Sequence, residues 1–185
     1  TALYLFLGIF GRYVFIAALF HYLFKVKYST HFQSREVNQR PRRGGQNLRE
    51  IGFSFITALI FALAGTAMVV AWQKGYTQIY TDFHAYSFVW FMASILLILF
   101  CHETYYYWLH RWMHHPRVYK WVHKAHHDSI TTSAWTSFSF HPAESILQAI
   151  VLPALLFVIP LHYVAIGIVL LIITATSVIN HLNTE

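Results

Sequence analysis

The stretch Leu3–Phe24, LYLFLGIFGRYVFIAALFHYLF, carries one charged residue, Arg12. Its length matches the ~20 residues a helix needs to cross a bilayer. Two more such stretches follow, Ile51–Trp72 and Ala85–Cys101. A pair of apolar segments comes last, Ile146–Ile159 and Tyr163–Ile179, separated by Pro160-Leu161-His162. The first of the pair is short for a crossing, so the two read as a helical hairpin with a tight turn. Only 11% of the residues are charged and 57% are hydrophobic, against about 25% charged in a soluble domain. These runs predict an all-α integral membrane protein, a multi-span helical bundle of three spans plus a hairpin. Arg12 is expected to face neighbouring helices or to snorkel.

The charges give this bundle two ends. Lys and Arg collect in cytoplasmic loops. Segment 25–50 holds Lys25, Lys27, Arg35, Arg40, Arg42, Arg43 and Arg49, with Pro41, Gly44 and Gly45 breaking any helix at its centre. Segment 102–145 holds Arg111, Arg117, Lys120 and Lys124, whereas turn 73–85 holds Lys74 alone. Segments 25–50 and 102–145 are therefore expected on the cytoplasmic side, of a bacterial inner membrane or an endoplasmic reticulum. The hairpin 146–179 brings 180–185 back to that side. The net charge of +6 suits anionic lipid. Nucleic acid is a poor partner for it, because the basic loop is short and lacks interleaved aromatics. The expected organisation is one membrane domain over 1–185: three spans in 1–101, a cytoplasmic histidine-rich helical cap at 102–145, the hairpin, and a polar end at 180–185. The chain begins at Thr1 and stops at Glu185 just after an apolar run, and it reads as a segment of a longer protein.

Thirteen histidines stand against seven acidic residues, and they cluster. His110 and His114 are four apart, as are His123 and His127, with His126 beside the latter. On a helix such pairs share one face a turn apart, and neutral imidazoles ligate Zn, Fe, Cu or Ni. His181 and Glu185 repeat the spacing. His115 falls off the 110/114 face. A zinc hydrolase would require H-E-x-x-H, but Arg111-Trp112-Met113 and Lys124-Ala125-His126 lie between the paired histidines. A structural zinc site uses four ligands, fewer than this segment offers, so two metals fit better. A single cysteine, Cys101, excludes a disulfide framework within the chain and a multi-cysteine zinc site.

The residues H102-E-T-Y-Y-Y-W-L-H-R-W-M-H-H-P and H123-K-A-H-H-D-S resemble the histidine boxes of the fatty acid hydroxylase superfamily, also called the sterol desaturase family. F140-H-P-A-E144 resembles the element that follows those boxes, and N180-H-L-N-T-E185 the element after the last hairpin. The resemblance spans roughly 102–185; residues before it agree only in hydropathy. It implies a non-haem di-iron centre on the cytoplasmic face, where zinc can substitute for iron. It also implies O₂ as co-substrate and electrons from a donor such as cytochrome b5 or ferredoxin and its reductase. The implied reaction is hydroxylation or desaturation of a bilayer lipid, fatty acyl, sterol or related. His110, His114, His123, His126, His127 and His181 match ligand positions. His102, His141 and Glu185 are further candidates. The family carries one more histidine box, downstream of the element at which this chain stops, so the segment alone is expected to hold an incomplete site.

Around the ligands, Glu103 and Asp128 are candidates to orient an imidazole through its second nitrogen, Asp128 alternatively capping a turn. Tyr106, Trp135 and Phe138 are candidates for the substrate wall. No side chain is expected to act as a nucleophile, since the metal centre carries the chemistry. Two other classes compete with a lipid oxygenase. A non-enzymatic metal-binding or transport protein should place ionisable groups within its spans, and these spans are nearly free of them. A histidine-box enzyme of another outcome, such as an acyl desaturase or a carotenoid hydroxylase, shares the same logic.

Overall fold

The computed structural model describes residues 1–185. The chain builds eight α-helices: α1 Ala2–His21, α2 Ser29–Gln33, α3 Gln46–Gln73, α4 Phe88–Met113, α5 Pro116–Val122, α6 Lys124–His127, α7 Pro142–Leu156 and α8 Tyr163–Asn180. A π-helical stretch, Tyr22–Lys27, prolongs α1, and a 3₁₀ turn, Ala134–Phe138, precedes α7. Two two-residue strands, β1 Ile79–Tyr80 and β2 Leu161–His162, pair in parallel with Ile79 opposite Leu161. Four segments are long and apolar enough to cross a membrane: 2–27, α3, α4 and α8. Helix α7 is shorter, as the apolar run predicts. The protein is a helical membrane bundle.

Local chemistry sets the breaks. Gly45 opens α3 and Gly75 follows its end, both at φ +75°, where a side chain would strain the backbone. Pro116 and Pro142 occupy the first turns of α5 and α7, where the missing N–H costs nothing. Each is preceded by a histidine whose Nδ1 accepts a backbone N–H: His115 from Arg117 at 3.4 Å and His141 from Ala143 at 3.3 Å. His162 caps α8 in the same manner, accepting from Val164 at 3.2 Å. Three histidines thus act as helix caps.

One boundary differs from the sequence expectation. The helix that carries the third span continues past Cys101. Helix α4 runs unbroken from Phe88 to Met113, so the first histidine pair sits on the last turns of a membrane helix. Leu109 and Met113 are buried and keep the same face packed across that junction, which the polar residues of 102–113 had obscured.

Helix α3 packs against α1 and α7, and α8 against α1 and α4. Two apolar cores hold the ends of this arrangement. Tyr13, Ile16, Ala17, Ala134, Phe138, Val178 and Leu182 form one, at the histidine end. Met68, Ile95, Ile98, Leu156, Leu161, Ala165 and Val169 form the other, beside the strand pair. The outward faces carry Leu3, Phe15, Leu63, Leu96, Phe100 and Leu171, all exposed in the isolated chain and suited to lipid tails.

The basic segment 25–50 and the histidine segment meet at one end, as the charge pattern predicts. Asn38 Nδ2 donates to the Ile130 carbonyl and Thr131 Oγ1 to that of Arg40. Glu50 lies fully buried, paired with Arg42 and accepting from Gln46 Nε2 at 2.8 Å and Thr136 Oγ1 at 3.0 Å. That network ties α3 to the 3₁₀ turn.

Candidate metal centre

Three helix ends converge at the histidine end. His110 lies on the last turn of α4 and His114 caps that helix. His123 joins α5 to α6, with His126 and His127 on α6. His181 caps α8. The C-termini of α4 and α8 carry carbonyls without helical partners and the negative ends of two helix dipoles, which favour a cation.

His110, His114, His123 and His127 bring one ligand atom each within 4.8 Å of one another. Inside this group the Nε2 atoms face in pairs, His110 to His114 at 3.1 Å and His123 to His127 at 3.0 Å. A third pair adjoins it: His126 Nε2 lies 3.1 Å from His181 Nε2.

Neighbouring carbonyls assign the tautomers of the third pair. His126 Nδ1–H donates to Ser139 O at 3.1 Å, and His181 Nδ1–H to Ser177 O at 2.6 Å. Each Nε2 then presents a lone pair. Two lone pairs aimed at each other repel unless a cation joins them. An ion bonded at about 2.1 Å to two adjacent nitrogens holds them roughly 3.0–3.4 Å apart, the spacing found in all three pairs. His123 Nδ1 lies 3.0 Å from Glu144 Oε2, both side chains being fully buried and neither atom hydrogen-bonded, so a carboxyl group stands beside this imidazole where ligating histidines commonly have one.

Burial, with His114 second, pushes His123 down to about 4. Burial first and then His123 and His114 push His127 to about 4 as well. His126 is lowered by burial and then by His181, and His181 by burial against the opposing pull of the Ser177 carbonyl. At neutral pH these imidazoles are uncharged and free to ligate. The donor set fits a transition metal that prefers nitrogen.

The remaining candidates lie elsewhere. His102 Nδ1 sits 3.1 Å from Glu103 Oε1, so Glu103 contacts its neighbour and none of the six converging imidazoles. His141 is held as the α7 cap. Glu185 does not continue a helix from His181. Asn183 takes φ +56°, Thr184 bridges to Glu36, and Glu185 is exposed with its N–H on Arg35 O. Asp128 accepts from Lys124 Nζ at 2.7 Å. Sequence reasoning assigned no role to Glu144 and did not single out Ser139 or Ser177. Glu144 stood inside a quoted motif; the serines act through backbone carbonyls, which leave no mark in a sequence.

Beside the centre lies a cavity of about 670 Å³, within the ~300–1,000 Å³ of small-molecule sites. Its walls are mostly apolar and come from α1, α3, α4, α7 and α8. His181, Ser177, Tyr106 and Phe138 line it near the centre, and Trp72 and Thr81 line it towards the strand pair. Of the three residues named for a substrate wall, Tyr106 and Phe138 line this cavity. Trp135 does not; it packs edge-on to Tyr13, whose hydroxyl donates to its carbonyl at 2.8 Å. His114 and His127, by contrast, are exposed and do not line it.

Residues 95–185 match the model of the fatty acid hydroxylase family, and they contain all six converging histidines. The chain belongs to the fatty acid hydroxylase family. Relatives in this family extend the match upstream. The Delta(7)-sterol 5(6)-desaturase ERG3A of Gibberella zeae is 30% identical over 187 residues, covering 97% of this chain and 50% of that protein. ERG3B of the same organism, also a Delta(7)-sterol 5(6)-desaturase, is 29% identical over 147 residues, 78% of this chain and 46% of that one. Human lathosterol oxidase is 31% identical over 118 residues, 63% of this chain and 40% of that one. The chain spans about half the length of these relatives or less. No solved structure matches it.

Proposed function

We propose that the protein is a membrane-bound oxygenase that hydroxylates or desaturates a C–H bond of a bilayer lipid, using O₂ and external electrons. The observation that carries this is the junction at His181, which belongs both to a facing imidazole pair and to the wall of the apolar cavity. In this reading His110, His114, His123 and His127 would hold one iron, and His126 and His181 would contribute to a second. Such a pair, when bound, supplies the O₂ chemistry that no side chain provides.

The chain's own residues then divide the work. The Ser139 and Ser177 carbonyls fix two tautomers, and Glu144 orients His123. The cavity wall excludes water and aligns an apolar chain. On the exposed side, His114 and His127 stand in a stretch of chain that also carries Arg111, Arg117, Lys120 and Lys124, the last paired with Asp128. That side would receive an acidic electron donor of the cytochrome b5 or ferredoxin type. The positive-inside pattern supports a cytoplasmic position for this end.

The sterol desaturases among the relatives support a lipid substrate. The test is to purify the whole protein, measure iron, and follow O₂-dependent conversion of lipids extracted with it. Two irons per chain and an oxidised lipid product are expected. Absence of metal would overturn the reading. Bound metal without oxidised lipid would favour a binding protein instead.

A further inference from the structure

Arg12 stands on the cavity face of α1, with Ile9 and Leu5 one and two turns before it. At 1.5 Å per residue it lies about 14 Å from the end of the helix at His21, within the expected hydrocarbon region. The next residue, Tyr13, stacks on Phe138 with ring centroids 4.9 Å apart. Arg12 is thus level with the part of the cavity nearest the histidines.

Its guanidinium has no partner. Within residues 1–185, three pairs join a Lys or Arg to a carboxylate and two contacts join a histidine to one, and none includes Arg12. Its Nε is buried without a hydrogen bond. The other fixed charge on the cavity wall, Glu103, is largely exposed and paired with His102. An unpaired cation in apolar surroundings is costly, and an intramembrane charge marks a ligand path or a counter-ion more often than a support. Arg12 lines the cavity wall, the position of an arginine that faces neighbouring helices.

We propose that Arg12 binds the oxyanion of the lipid that enters this cavity, a carboxylate or a phosphate. A guanidinium matches either group with paired N–H donors. A neutral hydroxyl would satisfy one donor and leave the charge unbalanced. The inference rests on the proposed role of the cavity as the lipid site, and it narrows the substrate class to anionic lipids. With its head held at Arg12, a chain has a fixed register against the histidine end, so Arg12 helps choose the carbon presented there.

The test measures binding in the whole, metal-loaded protein by displacement of a fluorescent apolar probe. The ligands share an oleoyl or oleyl chain: oleate, lysophosphatidate, methyl oleate and oleyl alcohol, with a 3β-hydroxysterol alongside. Wild type is expected to bind oleate or lysophosphatidate at least tenfold more tightly than the neutral ligands. The tighter of the two identifies carboxylate or phosphate as the source of the oxyanion. Arg12→Met should bind oleyl alcohol like wild type and lose the preference; Arg12→Lys should keep most of it. The preferred acid should raise the Tm of wild type and not of Arg12→Met. Equal binding of acid and alcohol by wild type would overturn the inference, as would a preference that survives in Arg12→Met. Because the readout is binding, it separates from the oxygenase reading. A protein that discriminates acids but forms no oxidised lipid leaves Arg12 its role, and one that oxidises lipid without discrimination does not.

Discussion

His126 and His181 are 55 residues apart in the chain, and their Nε2 atoms lie 3.1 Å apart. The whole hairpin of α7 and α8 separates them. Each Nδ1–H donates to a backbone carbonyl, which turns the two Nε2 lone pairs towards each other.

This division of the imidazoles predicts unequal losses. His181→Ala should remove about one of two bound metal ions and leave the group around His110 loaded. His110→Ala should remove the other. Metal analysis of the purified variants checks this; two ions retained in His181→Ala would refute the assignment.

Glu144 is the buried carboxylate beside His123. Glu144→Gln keeps the shape and replaces the acid with an amide. Partners of this kind contribute about 10–100-fold to metal affinity, so a chelator should strip the variant at a correspondingly lower concentration. Helix content should be unchanged by circular dichroism.

Glu50 joins Arg42, Gln46 and Thr136. Glu50→Ala would strand a cation and two polar groups, at a cost of about 3–5 kcal/mol by analogy with broken buried pairs. Thermal unfolding in detergent should show a clear fall in Tm. Glu50→Gln, which can still accept from Gln46 and Thr136, should fall less.

Gly65 lines the cavity, and a Cβ there would meet Leu5 Cδ1 at 3.5 Å, an ordinary contact. Gly65→Ala should therefore be nearly silent. Gly65→Leu would put a larger side chain into the space the lipid needs. Lipid conversion should drop severalfold in the leucine variant while its iron content stays at the wild-type level. A leucine variant as active as wild type would place the substrate elsewhere.

Much of the site was legible in the residues because helical spacing is a local property. The i, i+4 pairs His110/His114 and His123/His127 face each other as a 3.6-residue period requires, and the apolar runs are the spanning helices. Positive charge, read without the histidines, placed segments 25–50 and 102–145 at one end, where hydrogen bonds join them. The spacing misled at His181/Glu185, because the helix stops at Asn180 and a left-handed Asn183 turns the chain towards Glu36 and Arg35. It also could not separate His141, a helix cap, from the histidines that converge.

By itself, then, the sequence determined the spans, the two ends of the bundle and the local histidine pairs, since each depends on hydropathy, charge or period within a short stretch. Only the tertiary structure decided that His126 meets His181, that Glu144 stands behind His123, and that Arg12 turns into a cavity without a partner. Those relationships depend on how helices far apart in the chain pack side by side, and no spacing along the chain encodes that directly.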